Sequence, residues 1–235
     1  MRLDKFICKS TELSRSEARR LICSGAITVN AEVVLAEAFQ VHENNDVMLD
    51  GQTLIARNSR YLMLHKPTGT VCSNINEVYP SIFNLVDIDY ADNLHVVGRL
   101  DVDTTGLVLM TDDGRWSFDI IRPDRRCEKV YRVGLRDPIS NHAAMGFGTG
   151  IQLQGEDQLT LPAKLQVLSQ RQVLLTITEG KFHQVKRMFA AIGNRVESLH
   201  REKIGDVSLD LELGQWRYLT VDEVASFKNK TCFGG

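Results

Sequence analysis

The sequence predicts an α+β protein of two domains, a small helix-and-strand unit over residues 1–58 and a larger, strand-rich unit over residues 59–235. Three observations predict it. Two short helical stripes with start and stop signals occupy the first 25 residues. A polar stretch without periodicity, Gly51 to Ser59, reads as a linker. Beyond it, apolar or alternating runs recur between turn signals. With 235 residues, 43% of them hydrophobic and 25% charged, the chain has the material for a substantial core.

In the first unit, Leu3, Phe6 and Ile7 share one helical face, with Arg2, Lys5 and Lys9 outside it. A second helix starts at Ser14-Arg15-Ser16-Glu17, a capping box in which the serine and glutamate side chains satisfy each other's free backbone donors, and it stops near Gly25. Arg15 and Arg19, four apart, share its exposed face. Strands are expected at 26–30 and 46–49.

In the second unit, Tyr61 to His65 reads as a strand closed by the turn Lys66-Pro67-Thr68-Gly69. Its lysine is open to two readings, an approach to RNA or a plain structural turn. Residues 74–95 carry no clear pattern. An apolar approach at Val96-Val97 then leads to Gly98-Arg99-Leu100-Asp101-Val102-Asp103-Thr104-Thr105, a polar loop with two carboxylates, followed by the apolar run Gly106 to Thr111 and the turn signal Asp112-Asp113-Gly114. The pattern suits a reactive group held on a short loop between strands. A short helix over 115–121 is halted before Pro123. Residues 128–135 alternate, which puts Lys129, Tyr131, Val133 and Leu135 on one face; alone, that spacing makes Tyr131 a core residue. Residues 140–160 are rich in glycine and give no clear reading. A strand at 173–178 precedes a helix whose stripe is Val185, Met188, Phe189 and Ile192, with Lys186 beside it near the start and Gly193 as the stop. Strands at 195–200 and 206–211, a helix capped by Thr220 and Glu223, and a frayed tail from Lys228 to Gly235 complete the chain.

Charge is uneven. The formal total is −2, yet residues 1–30 carry a local balance of +3 and residues 122–136 one of +4, so positive potential can gather on part of the surface. The five cysteines are scattered without a C-x-x-C pair, which points away from zinc or redox centres and towards small apolar fillers in a reducing compartment. No apolar run approaches the roughly 18 residues of a membrane span. A cytoplasmic monomer without membrane attachment is expected.

The run G-R-L-D-x-x-T-T-G-L-x-L-x-T at 98–111, K-x-Y at 129–131 and G-K-x-H-Q-V-K at 180–186, taken in that order, resemble the three motifs of the pseudouridine synthases. R-L-D-K-F at 2–6 and S-R-S-x-A-R-R-L-I at 14–22 resemble the S4 RNA-binding domain that precedes one branch of that family. The resemblance implies an S4-like domain joined to a catalytic domain with a mostly antiparallel mixed sheet, its cleft running across the sheet. It implies an isomerase that needs no cofactor or metal, with Asp101 as the catalytic carboxylate. Tyr131 would stack on the target uracil and assist at C5. Lys186 would keep Asp101 ionised, in place of the arginine many relatives carry, which loses a bidentate fork. Arg99 would enter the space the uridine leaves, and Arg15, Arg19 and Arg20 would meet RNA phosphates. The forms H-Q-V-K-R-M and T-D-D-G favour the small-subunit branch, with uridine 516 of 16S rRNA or an assembly intermediate as substrate. A synthase for 23S rRNA and a non-catalytic S4-type RNA-binding protein are the alternatives. Because C1′ and the base are out of reach within a stacked helix, the nucleotide must be extruded at a cost of a few kcal/mol, least in an irregular RNA element.

Overall fold

The computed structural model describes residues 1–75, 78–140 and 142–227, and the chain divides into two compact units, Met1–Asn58 and Ser59–Gly235. The expected frayed tail and Cys232 lie outside the described residues.

The first unit packs α1 (Leu3–Ser10) and α2 (Arg15–Cys23) on a four-stranded sheet. Ser14 and Glu17 form the capping box, and Gly25 takes the left-handed conformation at φ +79°. The strands β1 (Ile27–Val29), β2 (Glu32–Val33), β3 (Val47–Leu49) and β4 (Gln52–Thr53) are ordered β2-β1-β3-β4, with all three pairings antiparallel. Leu3, Ile7, Ala18, Ile22 and Ile27 are fully buried between the layers. The expected linker is therefore shorter than 51–59: Asp50 and Gly51 both have positive φ, +47° and +81°, and turn β3 tightly back into β4. An Asp-Gly pair after an apolar run signals that hairpin, since both residues tolerate the left-handed turn.

In the second unit the strands are β5 (Tyr61–Lys66), β6 (His95–Val97), β7 (Thr105–Thr111), β8 (Lys129–Leu135), β9 (Lys164–Ser169), β10 (Gln172–Ile177), β11 (Val196–Ile204), β12 (Val207–Ser208) and β13 (Trp216–Tyr218). Among the described residues they form one mixed sheet in the order β13-β5-β7-β11-β8-β10-β9, with β6 on β7 and β12 on β11. β7 and β11 run parallel; the other pairings are antiparallel. Among the described residues four α-helices accompany the sheet: α3 (Gly114–Ile121), α4 (Ala143–Thr149), α5 (Gln184–Ala191) and α6 (Val221–Ser226). Among the described residues no helix is long and apolar enough to cross a membrane.

Several elements differ from expectation for physical reasons. Helix α4 contains Gly146 and Gly148, poor helix formers, and is held by Phe147, fully buried against Phe189 with ring centres 5.0 Å apart. Strand β9 is mostly exposed and presents no apolar face to read. β11 runs on to Ile204, past the expected end at His200, whereas only Val207–Ser208 of the expected 206–211 strand pairs, folding back through Gly205 at φ +57°. Cys8, Cys72 and Cys127 are buried as expected of fillers; Cys23 is exposed and does not fill the core.

Candidate active site

Gly98, at φ +76°, turns the chain out of β6 into the polar loop, and the Thr104 amide donates to the Asp101 carbonyl at 3.1 Å to close a tight turn around Val102 and Asp103. Beneath the turn lies Lys66, with no exposed surface. Its ammonium donates to the carbonyls of Pro67 (3.0 Å), Val102 (3.4 Å) and Thr104 (2.9 Å), which replaces the lost water shell and stitches the loop to the end of β5. Burial pushes the Lys66 ammonium below its ordinary pKa, only partly offset by nearby groups that include Asp103 and Asp101. Of the two readings of this lysine, approach to RNA is excluded by its burial and the structural one stands.

So held, Asp101 points at the start of α5. That helix begins at Gln184 because the buried Gln184 side chain accepts from the Lys181 amide at 2.8 Å and donates to Glu179 at 2.7 Å. Lys186, in its first turn, donates to Asp101 Oδ2 at 2.9 Å and to Asp103 Oδ1 at 2.6 Å. Burial opposes the charged ammonium, but the hydrogen bonds it donates to both carboxylates outweigh it, and the Lys186 pKa lies above its ordinary value. Asp103 is held below the usual carboxylate range, mainly by its bond to Lys186. Asp101 is 29% exposed and Asp103 71%, so the two acids share one cation but only Asp101 is partly sheltered from water. His183 Nε2 stands 3.4 Å from Asp101 Oδ1, with its own backbone in the left-handed region at φ +48° and its ring stacked on the exposed Phe182. The other cations of this segment are engaged elsewhere: Lys181 and Arg187 both pair with Glu156 at 3.0 Å.

A cleft of about 1000 Å³ opens here, lined among others by Arg99, Asp101, Tyr131, Phe182, Lys186 and Arg201. Arg99 is exposed. Tyr131 falls on the buried face of β8, as the alternation predicts, and is 7% exposed, yet it lines the cleft. Its hydroxyl accepts from Arg201 Nη1 at 3.3 Å.

Arg201 is absent from the sequence reading. It is 1% exposed, and its Nε and Nη2 donate to the carbonyls of Leu107 and Gly98, each at 2.7 Å. The sign that would have found it is parity: Arg201 lies two residues beyond Leu199, on a buried face of β11, where a charged side chain is rare without a special reason.

The basic residues of the first unit are arranged around a buried carboxylate. Asp4 has no exposed surface and accepts from both Arg2 (3.0 Å) and Arg15 (2.9 Å); Arg19 pairs with Glu37 at 2.7 Å. Burial would raise the Asp4 pKa, but the bonds from Arg2 and Arg15 win and hold it below the usual range. Arg20 is exposed and makes no ion pair among the described residues.

Comparison with known proteins places these features in a family. The family model described as RNA pseudouridylate synthase matches residues 60–191, and the S4 domain model matches residues 1–47. The chain is 51% identical over 228 residues to ribosomal small subunit pseudouridine synthase A of Vibrio cholerae, covering 96% of this chain and 99% of that protein. It is 49% identical over 229 residues to the protein of that name from Escherichia coli K12, covering 96% and 99%. Among solved structures, a crystal structure of a pseudouridylate synthase superposes with a TM-score of 0.71 at 47% identity, covering 97% of this chain and 99% of that one.

Proposed function

The chain belongs to the RNA pseudouridylate synthase family, and from that premise we propose that it converts a uridine of small-subunit ribosomal RNA, uridine 516 of 16S rRNA, to pseudouridine, with Asp101 as the reacting carboxylate. The observation that carries the role of Asp101 is its ion pair with Lys186 on the floor of a cleft large enough for an extruded nucleotide. The full-length similarity to proteins named for the ribosomal small subunit supports the substrate.

Isomerisation breaks the bond between N1 and C1′, turns the uracil and joins C5 to the same carbon. Atoms balance without a cofactor, because the C5 proton that is lost is matched by one gained at N1. An Asp101 carboxylate serves either by bonding C1′ or by taking the 2′ proton, and the Lys186 ammonium 2.9 Å away is its counter-charge. Tyr131 offers its ring to the uracil, and Arg99, exposed at the cleft, is free to occupy the gap left in the RNA. The test is the map of pseudouridine in rRNA from cells lacking the gene: loss of one small-subunit modification, restored by the intact chain but not by an Asp101→Ala form, is expected. Unchanged small-subunit rRNA sinks the substrate, and a loss confined to 23S rRNA moves it to the large subunit.

For the first unit we propose phosphate contacts by Arg15, Arg19 and Arg20, in keeping with the S4 match. Because Arg20 makes no ion pair within the unit, Arg20→Ala is expected to flatten the slope of log affinity against log salt by about one. Folding stability should move by less than about 0.5 kcal/mol. Arg15→Ala removes a donor from the buried Asp4 and is expected to cost about 1–3 kcal/mol of stability as well. Titrations of RNA at several salt concentrations, with denaturant melts alongside, separate the two effects.

A further inference from the structure

Arg201 poses a physical problem. A guanidinium with 1% exposure is costly to bury, and among the described residues no carboxylate lies within 4 Å of it. Three neutral oxygens, the Leu107 and Gly98 carbonyls and the Tyr131 hydroxyl, satisfy its hydrogen bonds but leave its charge unbalanced. Two further buried cations, Lys66 and Lys129, bond only to carbonyls and are close enough for Arg201 to disfavour their charge. The nearby acids Asp101 and Asp103 are already committed to Lys186. Glu179, itself buried, offsets Lys129, but Arg201 is left as a fixed cation without a paired carboxylate, in place before any ligand arrives.

The hydrogen-bond chemistry gives that charge a direction. A guanidinium can only donate, so the Tyr131 oxygen must accept from Arg201, and the tyrosine proton is left to point elsewhere. Tyr131 lines the cleft. We propose that Arg201 is a positioning residue which aims and strengthens the Tyr131 hydroxyl as a donor to a carbonyl oxygen of the uracil, and that the two stabilise the uracil anion formed when the glycosidic bond breaks. The inference rests on the isomerase reading above and assigns what that reading leaves open, the fate of the charge on the leaving base. When the bond between C1′ and N1 breaks, its electron pair goes to N1 and spreads onto O2 and O4, while Asp101 bonds C1′ or takes the 2′ proton. When C5 attacks C1′, the pair is used again. A donor fixed where charge develops, in a site shielded from water, costs no reorganisation at the moment of reaction. An RNA phosphate does not answer as the counter-charge, because Arg201, although it lines the cleft, is only 1% exposed and its hydrogen bonds go to oxygens of the protein.

The test uses the full chain and a small-subunit rRNA transcript carrying either uridine or 5-fluorouridine at the target. Fluorine withdraws electrons and stabilises the departing anion by itself, so help from the protein matters less. In single-turnover cleavage of the glycosidic bond, Arg201→Lys is expected to slow the uridine substrate about 100-fold, with RNA affinity unchanged, the size typical of removing one preorganised donor. With 5-fluorouridine the deficit should shrink at least fivefold. Tyr131→Phe, which keeps the ring and the buried arginine, should show the same contrast and carries the test if Arg201→Lys does not fold. Equal deficits on both substrates, or a defect in affinity alone, overturn the proposal while leaving the isomerase reading intact. A wild-type chain inactive on the uridine transcript overturns that reading, and this one with it.

Discussion

Asp101→Asn is expected to abolish turnover while leaving RNA binding within a few-fold of the parent. The asparagine keeps the shape of the side chain and can still accept from Lys186, but it cannot bond C1′ as an anion or accept the 2′ proton. Removal of a group that takes part directly in bond making typically lowers kcat by on the order of 10⁴-fold or more. Release of tritium from RNA labelled at uridine C5 measures it, beside a filter-binding assay for affinity. Asp103→Asn is the matched control: it touches the same ammonium, but its carboxylate is 71% exposed, and a loss below about tenfold is expected, in line with the small worth of a solvent-exposed ion pair. If Asp101→Asn keeps turnover within tenfold of the parent, the reacting group is another. If it loses RNA affinity instead, Asp101 serves in holding the RNA and not in the reaction.

The second large effect concerns folding. Gly106, the second residue of β7, lies opposite Arg201 of β11 at φ +116°, and a β-carbon placed there would overlap the backbone nitrogen and carbonyl of Arg201. Backbone cannot swing aside as a side-chain tip can. Gly106→Ala is expected to cost about 3 kcal/mol or more, combining an unfavourable φ with overpacking at a strand junction. Both tryptophans, Trp116 and Trp216, lie in the second unit, so urea unfolding followed by their fluorescence reports it directly. Gly146→Ala is the contrast. It sits within α4 with open space around it and should gain up to about 1 kcal/mol from helix propensity. A Gly106→Ala chain as stable as the parent would mean that β7 and β11 are not packed as described.

Local signals made parts of this molecule legible from sequence, and long-range placement hid the rest. Ser14 with Glu17, and Thr220 with Glu223, announce their helices because a capping box is satisfied within four residues. Tyr131 falls on the buried face because alternation in β8 is a property of the strand alone. The motifs brought Asp101 and Lys186 into one hypothesis, and they lie 2.9 Å apart. Lys66 and Arg201 carry no comparable local sign. Apart from Pro67, their partners are 36 to 103 positions away in the chain, and what makes them important is that a charge is buried there, which only the packed sheet decides. Arg15 shows the reverse case. Its place on the exposed helical face is legible, yet its bond to Asp4 crosses from α2 to α1 and depends on how the two helices pack.

The parallel pairing of β7 with β11 also has a consequence for synthesis on the ribosome. The two strands are separated by more than 80 residues, and the clamp on Gly98 and Leu107 comes from the later one. Pairings of such wide sequence separation form late, after the closure of a long loop. A growing chain that has already exposed its polar loop at 98–105 therefore still has an unfinished cleft, which is complete only when the distal strand docks and its arginine bonds the carbonyls on either side of that loop. Premature termination between residues 58 and 201 should leave a polypeptide that retains the leading S4-like unit but lacks the finished cleft.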